Sequence, residues 1–219
     1  MNILLTSLGA LAAVAAAGAV QAQVINGNFG AGLAGWNPLG DAIAQANTLT
    51  LTTAFNGDDD APFNLSGNGA AWIDAVEPAA GVATYALDLG GEPAYEGSLA
   101  KQTFAVAAGS ALSFNWSFST REATFLDNAF VVINGAVTSL ANRTAAPVGQ
   151  QTFSRSFAQA ANVTLVFGVV DTGDLNGVST LNIRNVQVSA VPEPATLGLW
   201  LAGVAGVGAA ARRRRPATR

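Results

Sequence analysis

The sequence predicts an all-β protein: an antiparallel jelly-roll-like β-sandwich, with an N-terminal signal helix before it and a single C-terminal transmembrane helix after it. Three observations carry this reading. Leu112, Phe114, Trp116 and Phe118 alternate strictly with Ser113, Asn115, Ser117 and Ser119, and Val163, Leu165, Phe167 and Val169 repeat the apolar half of that pattern. Turn pairs such as Asn56-Gly57, Gly90-Gly91, Asn134-Gly135 and Asn176-Gly177 punctuate the chain between short apolar segments. Long apolar runs without charge stand only at the two ends.

The first of these runs, residues 3–20, leads into Val20-Gln21-Ala22, which places small residues at the positions a signal peptidase reads. Cleavage is expected between Ala22 and Gln23, although Met1-Asn2 supplies no basic side chain ahead of the run. The second run, residues 195–211, has 17 uncharged residues and is followed at once by Arg212, Arg213, Arg214 and Arg215. Seventeen is the lower limit for a helix crossing a hydrocarbon core of about 30 Å. Four arginines behind it would stay on the cytoplasmic side, leaving the body outside.

Between these ends the strands are expected at 24–29, 48–54, 71–76, 82–89, 102–106, 112–118, 130–134, 151–157, 163–169 and 181–188. No body segment shows a helical period with caps. Many short strands with frequent turns indicate a sandwich. In the last strand Leu181 and Ile183 share one parity while Val186 and Val188 take the other, so a bulge is expected near Arg184-Asn185.

Composition then excludes several chemistries. The chain has no cysteine and no histidine, which removes disulfides, thiolate nucleophiles, Ser-His-Asp hydrolysis and His-metal sites. The body at 23–191 spans 169 residues, one domain's worth, with 13 acidic and 5 basic side chains. A net charge of −8 argues against nucleic acid as a partner.

Val191-Pro192-Glu193-Pro194, then the apolar run, then the arginine cluster resembles the PEP-CTERM sorting tail, also described as the ice-binding protein C-terminal domain. The resemblance implies that residues 192–219 are a processing signal for exosortase, a membrane enzyme. Pro192, Glu193 and Pro194 would be the recognition motif, and Arg212 to Arg215 would retain the tail in the membrane until cleavage. Two prolines in three residues fit an extended, accessible segment. Asn26-Gly27-Asn28-Phe29 followed by Gly35-Trp36 resembles the opening of exported carbohydrate-binding-like sandwiches. Residues 127–131, 167–171 and 182–188 are similar to internal and closing strands of PEP-CTERM surface proteins. In related sandwiches a Glu after the opening motif and an Asp in the closing strand help hold calcium. Gly30 and Arg184 stand in those places here, which predicts loss of that site.

The remaining candidates come from the residues themselves. Asp171, Asp174 and Asn176 form a calcium-like loop, with an Asx-rich turn as the competing reading. Asp58, Asp59 and Asp60 lack EF-hand spacing. Glu92, Glu96 and Asp127 supply the carboxylates a glycosidase would need. Thr48, Thr50 and Thr52 make a single threonine row where an ice-binding ladder would require repeats. Trp36 and Trp72 are candidate sugar contacts, whereas Trp116 lies on an apolar face and reads as core.

The expected function is that of a non-catalytic exported protein without an obligatory cofactor. Exosortase would sort it, through a membrane-anchored intermediate, to the cell surface or a biofilm-type exopolysaccharide matrix. The alternative is a carbohydrate-binding module for an extracellular polysaccharide.

Overall fold

The computed structural model describes residues 23–189, except 56, 58, 59, 123, 126 and 143–146. The segments expected to be the signal and transmembrane helices lie outside these residues. Among the described residues no helix is long and apolar enough to cross a membrane.

The strands form an antiparallel two-sheet sandwich of the expected class. In order they are β1 (Asn37–Leu39), β2 (Asp41–Gln45), β3 (Thr48–Thr52), β4 (Ala71–Trp72), β5 (Ala94–Val106), β6 (Ala111–Thr120), β7 (Asn128–Ile133), β8 (Ala136–Asn142), β9 (Val148–Ser156), β10 (Ala161–Thr172) and β11 (Ser179–Ser189). The first sheet runs β1-β5-β10-β7-β8, with β4 also paired to β5; the second runs β2-β3-β11-β6-β9. A helix, α1 (Ile73–Ala80), covers the outside of the first sheet.

Alternation builds the core between the sheets. Leu112, Phe114, Trp116 and Phe118 of β6 face Val163, Leu165, Phe167 and Val169 of β10, with Leu181 and Ile183 of β11 beside them. Phe114 lies 4.8 Å from Phe153 and 4.7 Å, edge-on, from Phe167. Burying each such ring stabilises the fold by about 1.5–3 kcal/mol. β10 is buried on both faces rather than one, because Val166 and Val170 pack outward under Val76 and Ala80 of α1. Gly168, between them on that outward face, fills no space of its own. A Cβ there would overlap the Phe130 ring, so glycine makes room for it.

The bulge expected in the closing strand is present. The β11–β6 register shifts between Arg184 and Gln187, Asn185 takes φ 54°, and Val186 returns to the core. Its N–H donates to the Gly27 carbonyl at 2.8 Å, and no side chain would fit at Gly27 against the Val186 carbonyl.

Three expected strands differ. Residues 24–29 form turns, with Asn26 and Phe29 at φ 50° and 57°. Gln102 holds that loop: its amide accepts from the Ile25 N–H at 2.7 Å and donates to the Ile25 and Gly35 carbonyls, each at 2.9 Å. Residues 82–89 are also turns, pinned where buried Glu77 accepts the Leu87 N–H at 3.2 Å. Residues 71–76 split into β4 and the start of α1. Gly81, at φ 74°, ends α1, and the Lys101 ammonium donates to the Ala79 carbonyl at 2.9 Å, where helix polarity favours a cation.

Candidate functional site

The polar half of the strand alternation faces away from the core of the second sheet. Asn115 and Ser117 of β6, Asn182 and Arg184 of β11, and Gly149 and Gln150 of β9 line a pocket of ≈ 250 Å³ there, with Trp116 also on its wall. The pocket forms where the β6–β9 register shifts between Trp116 and Phe118, so the bulged strand opens the sheet surface.

Side-chain hydrogen bonds hold this face in place. Asn115 donates to Thr152 Oγ1 at 2.9 Å and accepts from the Asn185 amide at 3.0 Å. Thr50 donates to Asn182 Oδ1 at 2.9 Å, and Arg184 Nε donates to Thr48 Oγ1 at 2.7 Å. Amides, a hydroxyl and one guanidinium can meet the hydroxyls of a neutral or anionic polar ligand. No carboxylate is among the residues lining the pocket, so it holds no acid–base pair for glycoside hydrolysis. Arg184 apart, the β6 and β11 residues were visible in the sequence only as the solvent half of their strands. What brings β9 beside them is its antiparallel pairing with β6, which the bulge shifts at Gly149 and Gln150.

The two candidate tryptophans separate. Trp36 is 4 % exposed, with its ring 5.3 Å from Phe29 and 5.6 Å from Phe167, and its Nε1 donates to the Asn26 carbonyl at 3.4 Å. Expected as a sugar contact, it is instead a core ring that closes the opening loop. Trp72 is 52 % exposed and stands 6.2 Å from Phe55. It pairs with the first sheet, so it does not line the pocket on the second.

The threonine row is no exposed ladder. Thr48 and Thr52 are buried, and Thr52 donates to Asp41. Glu92 is exposed while Glu96 and Asp127 are buried, so these three carboxylates share no open cleft. Of the triple aspartate, only Asp60 belongs to the described residues, and it is buried.

The expected calcium loop divides. Asp174 Oδ1 accepts the Asn176 N–H at 3.1 Å and Oδ2 accepts its amide at 3.3 Å, which is the Asx turn. Asp171 takes no part in that turn: it is fully buried at the end of β10. Asp127, just before β7, accepts the Thr172 N–H at 3.2 Å and the Ser179 hydroxyl at 2.7 Å. Burial raises Asp171 to about 10, helped by the negative charges of Asp127, Asp174, Glu96 and Glu122. Burial likewise raises Asp127 to about 7, with Ser179 and Thr172 pulling the other way.

Gln23 is exposed; Ala22, Pro192, Glu193, Pro194 and Arg212 to Arg215 lie outside the described residues. Residues 190–215 match the PEP-CTERM protein-sorting motif. The chain therefore carries that motif directly after β11, which ends at Ser189. No curated protein matches the chain. A solved structure described as "CBM4 structure and function" matches at 13% identity, over 74% of this chain and 99% of that one, with a TM-score of 0.35.

Proposed function

We propose that this chain is a non-catalytic β-sandwich domain that exosortase sorts to the cell surface, where it serves as a component of the extracellular polymer matrix. The observation that carries the reading is the sorting motif at 190–215, set immediately behind a folded, acidic domain. Before processing, the apolar run and its arginines hold the chain in the inner membrane. Signal peptidase removes the leader after Ala22, and exosortase acts at Pro192-Glu193-Pro194. The pocket's lack of a carboxylate supports a role without hydrolysis.

The test is to express the full chain in a host that has exosortase, with Pro192, Glu193 and Pro194 all replaced by alanine. The variant should accumulate at full length in the membrane fraction while the parent is cleaved. Equal processing of both would refute the sorting role.

A second reading, polysaccharide binding, is favoured by the amide-rich pocket and by exposed Trp72. Sugar rings combine hydroxyls that hydrogen-bond with an apolar face that stacks on an aromatic side chain. On a glycan array, saturable binding that weakens in Asn182→Ala would support it. Uniformly absent binding would eliminate it.

A further inference from the structure

Alternation along β10 puts residue 171 on the inner face, in line with Val163, Leu165, Phe167 and Val169. A carboxylate thus occupies a core position where the pattern calls for a fifth apolar side chain. Asp171 is 0 % exposed, and among the described residues neither of its carboxylate oxygens has a hydrogen-bond partner. Buried polar atoms without a partner are rare in native proteins, and a bare charge is the costliest case.

Its surroundings deepen the problem. The residue opposite it on β5 is Glu96, itself 2 % exposed. Directly opposed side chains on an antiparallel pair have Cβ atoms roughly 4.5–5.5 Å apart, and like charges there repel. Asp127 is brought to the same end of the core by its bonds to Thr172 and to Ser179, the first residue of β11. Among the described residues each of its oxygens receives one donor. A proton on Asp171 would remove the charge yet leave its second oxygen bare. A cation satisfies both oxygens and offsets the neighbouring acids together.

We propose that Asp171 and Asp127 are ligands of a structural divalent cation of the calcium class, seated at the end of the inter-sheet core where β10, β7 and β11 meet. Asp174 and Glu122 add negative charge around it. Among the described residues no three acidic side chains gather closely enough to hold an ion unaided. Main-chain oxygens and water complete the shell, which hard cations accept. Two carboxylates place the affinity in the weak range of extracellular modules, about 0.1–1 mM. The site is separate from the Gly30 and Arg184 positions, because Arg184 lies on the outer face of the second sheet and donates to Thr48.

The full chain, purified in detergent and stripped with EDTA, is titrated with calcium chloride by calorimetry, and its melting temperature is measured with EDTA and with 10 mM calcium. One saturable site is expected, with a melting rise of about 3–6 °C at tenfold saturation. Asp171→Asn should melt in EDTA no lower than the parent, which shows that it folds, and should lose both signals. Asp127→Asn should lose the calorimetric signal too. The proposal is overturned if the parent shows no calcium response. A response that survives intact in Asp171→Asn overturns it equally, since the ion would then sit elsewhere.

Discussion

Asp41 and Asp171 are both wholly buried in the same sandwich, yet they are opposite cases. The Asp41 carboxylate accepts the Ser66 N–H at 2.7 Å, the Leu65 N–H at 3.0 Å and the Thr52 hydroxyl, while its own N–H donates to Ser98 at 2.8 Å. Three donors surround the charge, and the loop that supplies Leu65 and Ser66 is tied down through Asp41 to Thr52 of β3 in return. Asp171 has no donor among the described residues and is flanked by acids. Burial alone therefore says nothing about role. A carboxylate enclosed by donors is an anchor for the backbone, and one enclosed by other carboxylates is waiting for a positive charge.

The sharpest way to break this contrast is Asp41→Ala. It leaves the part-buried Leu65 and Ser66 N–H groups and the buried Thr52 hydroxyl without their acceptor, and should destabilise the domain by about 2–4 kcal/mol in urea denaturation. A loss below about 1 kcal/mol would mean that residues 64–68 are held by something else. The next test reverses the sign. In EDTA at pH 8, Asp171→Asn should stabilise by at least about 1 kcal/mol, because the parent must take up a proton to bury Asp171 and the amide need not.

The pH profile follows from the same contrast. Folded Asp127 and Asp171 keep protons up to about 7 and about 10, whereas unfolded aspartates release theirs near about 3.9. From pH 4 upward the folded state therefore binds more protons than the unfolded one, and stability falls as pH rises. The parent's melting temperature, measured against Asp171→Asn in EDTA, should drop between pH 4 and 8. A constant difference would contradict the assignment. Smallest of all is Trp72→Ala, which should leave stability within about 0.5 kcal/mol because the ring is half in solvent. If polysaccharide binding is real and involves this edge of the first sheet, array signal should fall with stability unchanged.

Much of the fold was legible in the sequence, and the exceptions have physical reasons. β6, β10 and the bulged β11 announce themselves because each has an apolar face of strict parity. β8 does not: Ala136–Asn142 is a largely exposed outer strand with little apolar pattern to read. α1 is only eight residues long and contains Pro78, so too few turns exist to display a helical period. Residues 24–29 have strand-like composition, but their shape is decided by Gln102, 77 positions beyond Ile25. The same distance effect governs the site. Trp36 lies among glycine and proline in sequence, while its packing partner Phe167 comes from β10. The buried carboxylate was within reach of local reasoning, since extending the 163–169 alternation by one step lands on Asp171. The neighbour that makes it unusual, Glu96, emerges only from the β5–β10 register.

β11 lies in the middle of its sheet, between β3 and β6, and the sorting motif starts at the residue after its last. In a membrane-anchored form, before cleavage, a pull on the tail would enter β11 at residues 187–189, paired with β6 alone, and then reach 180–183, gripped by both β3 and β6. An edge strand would peel away one hydrogen bond at a time. Here the load runs along β11 and across two ladders whose bonds lie perpendicular to it, so they resist together in shear. Such a pull would have to shear the β6 ladder at the strand's end before it loaded both ladders at residues 180–183.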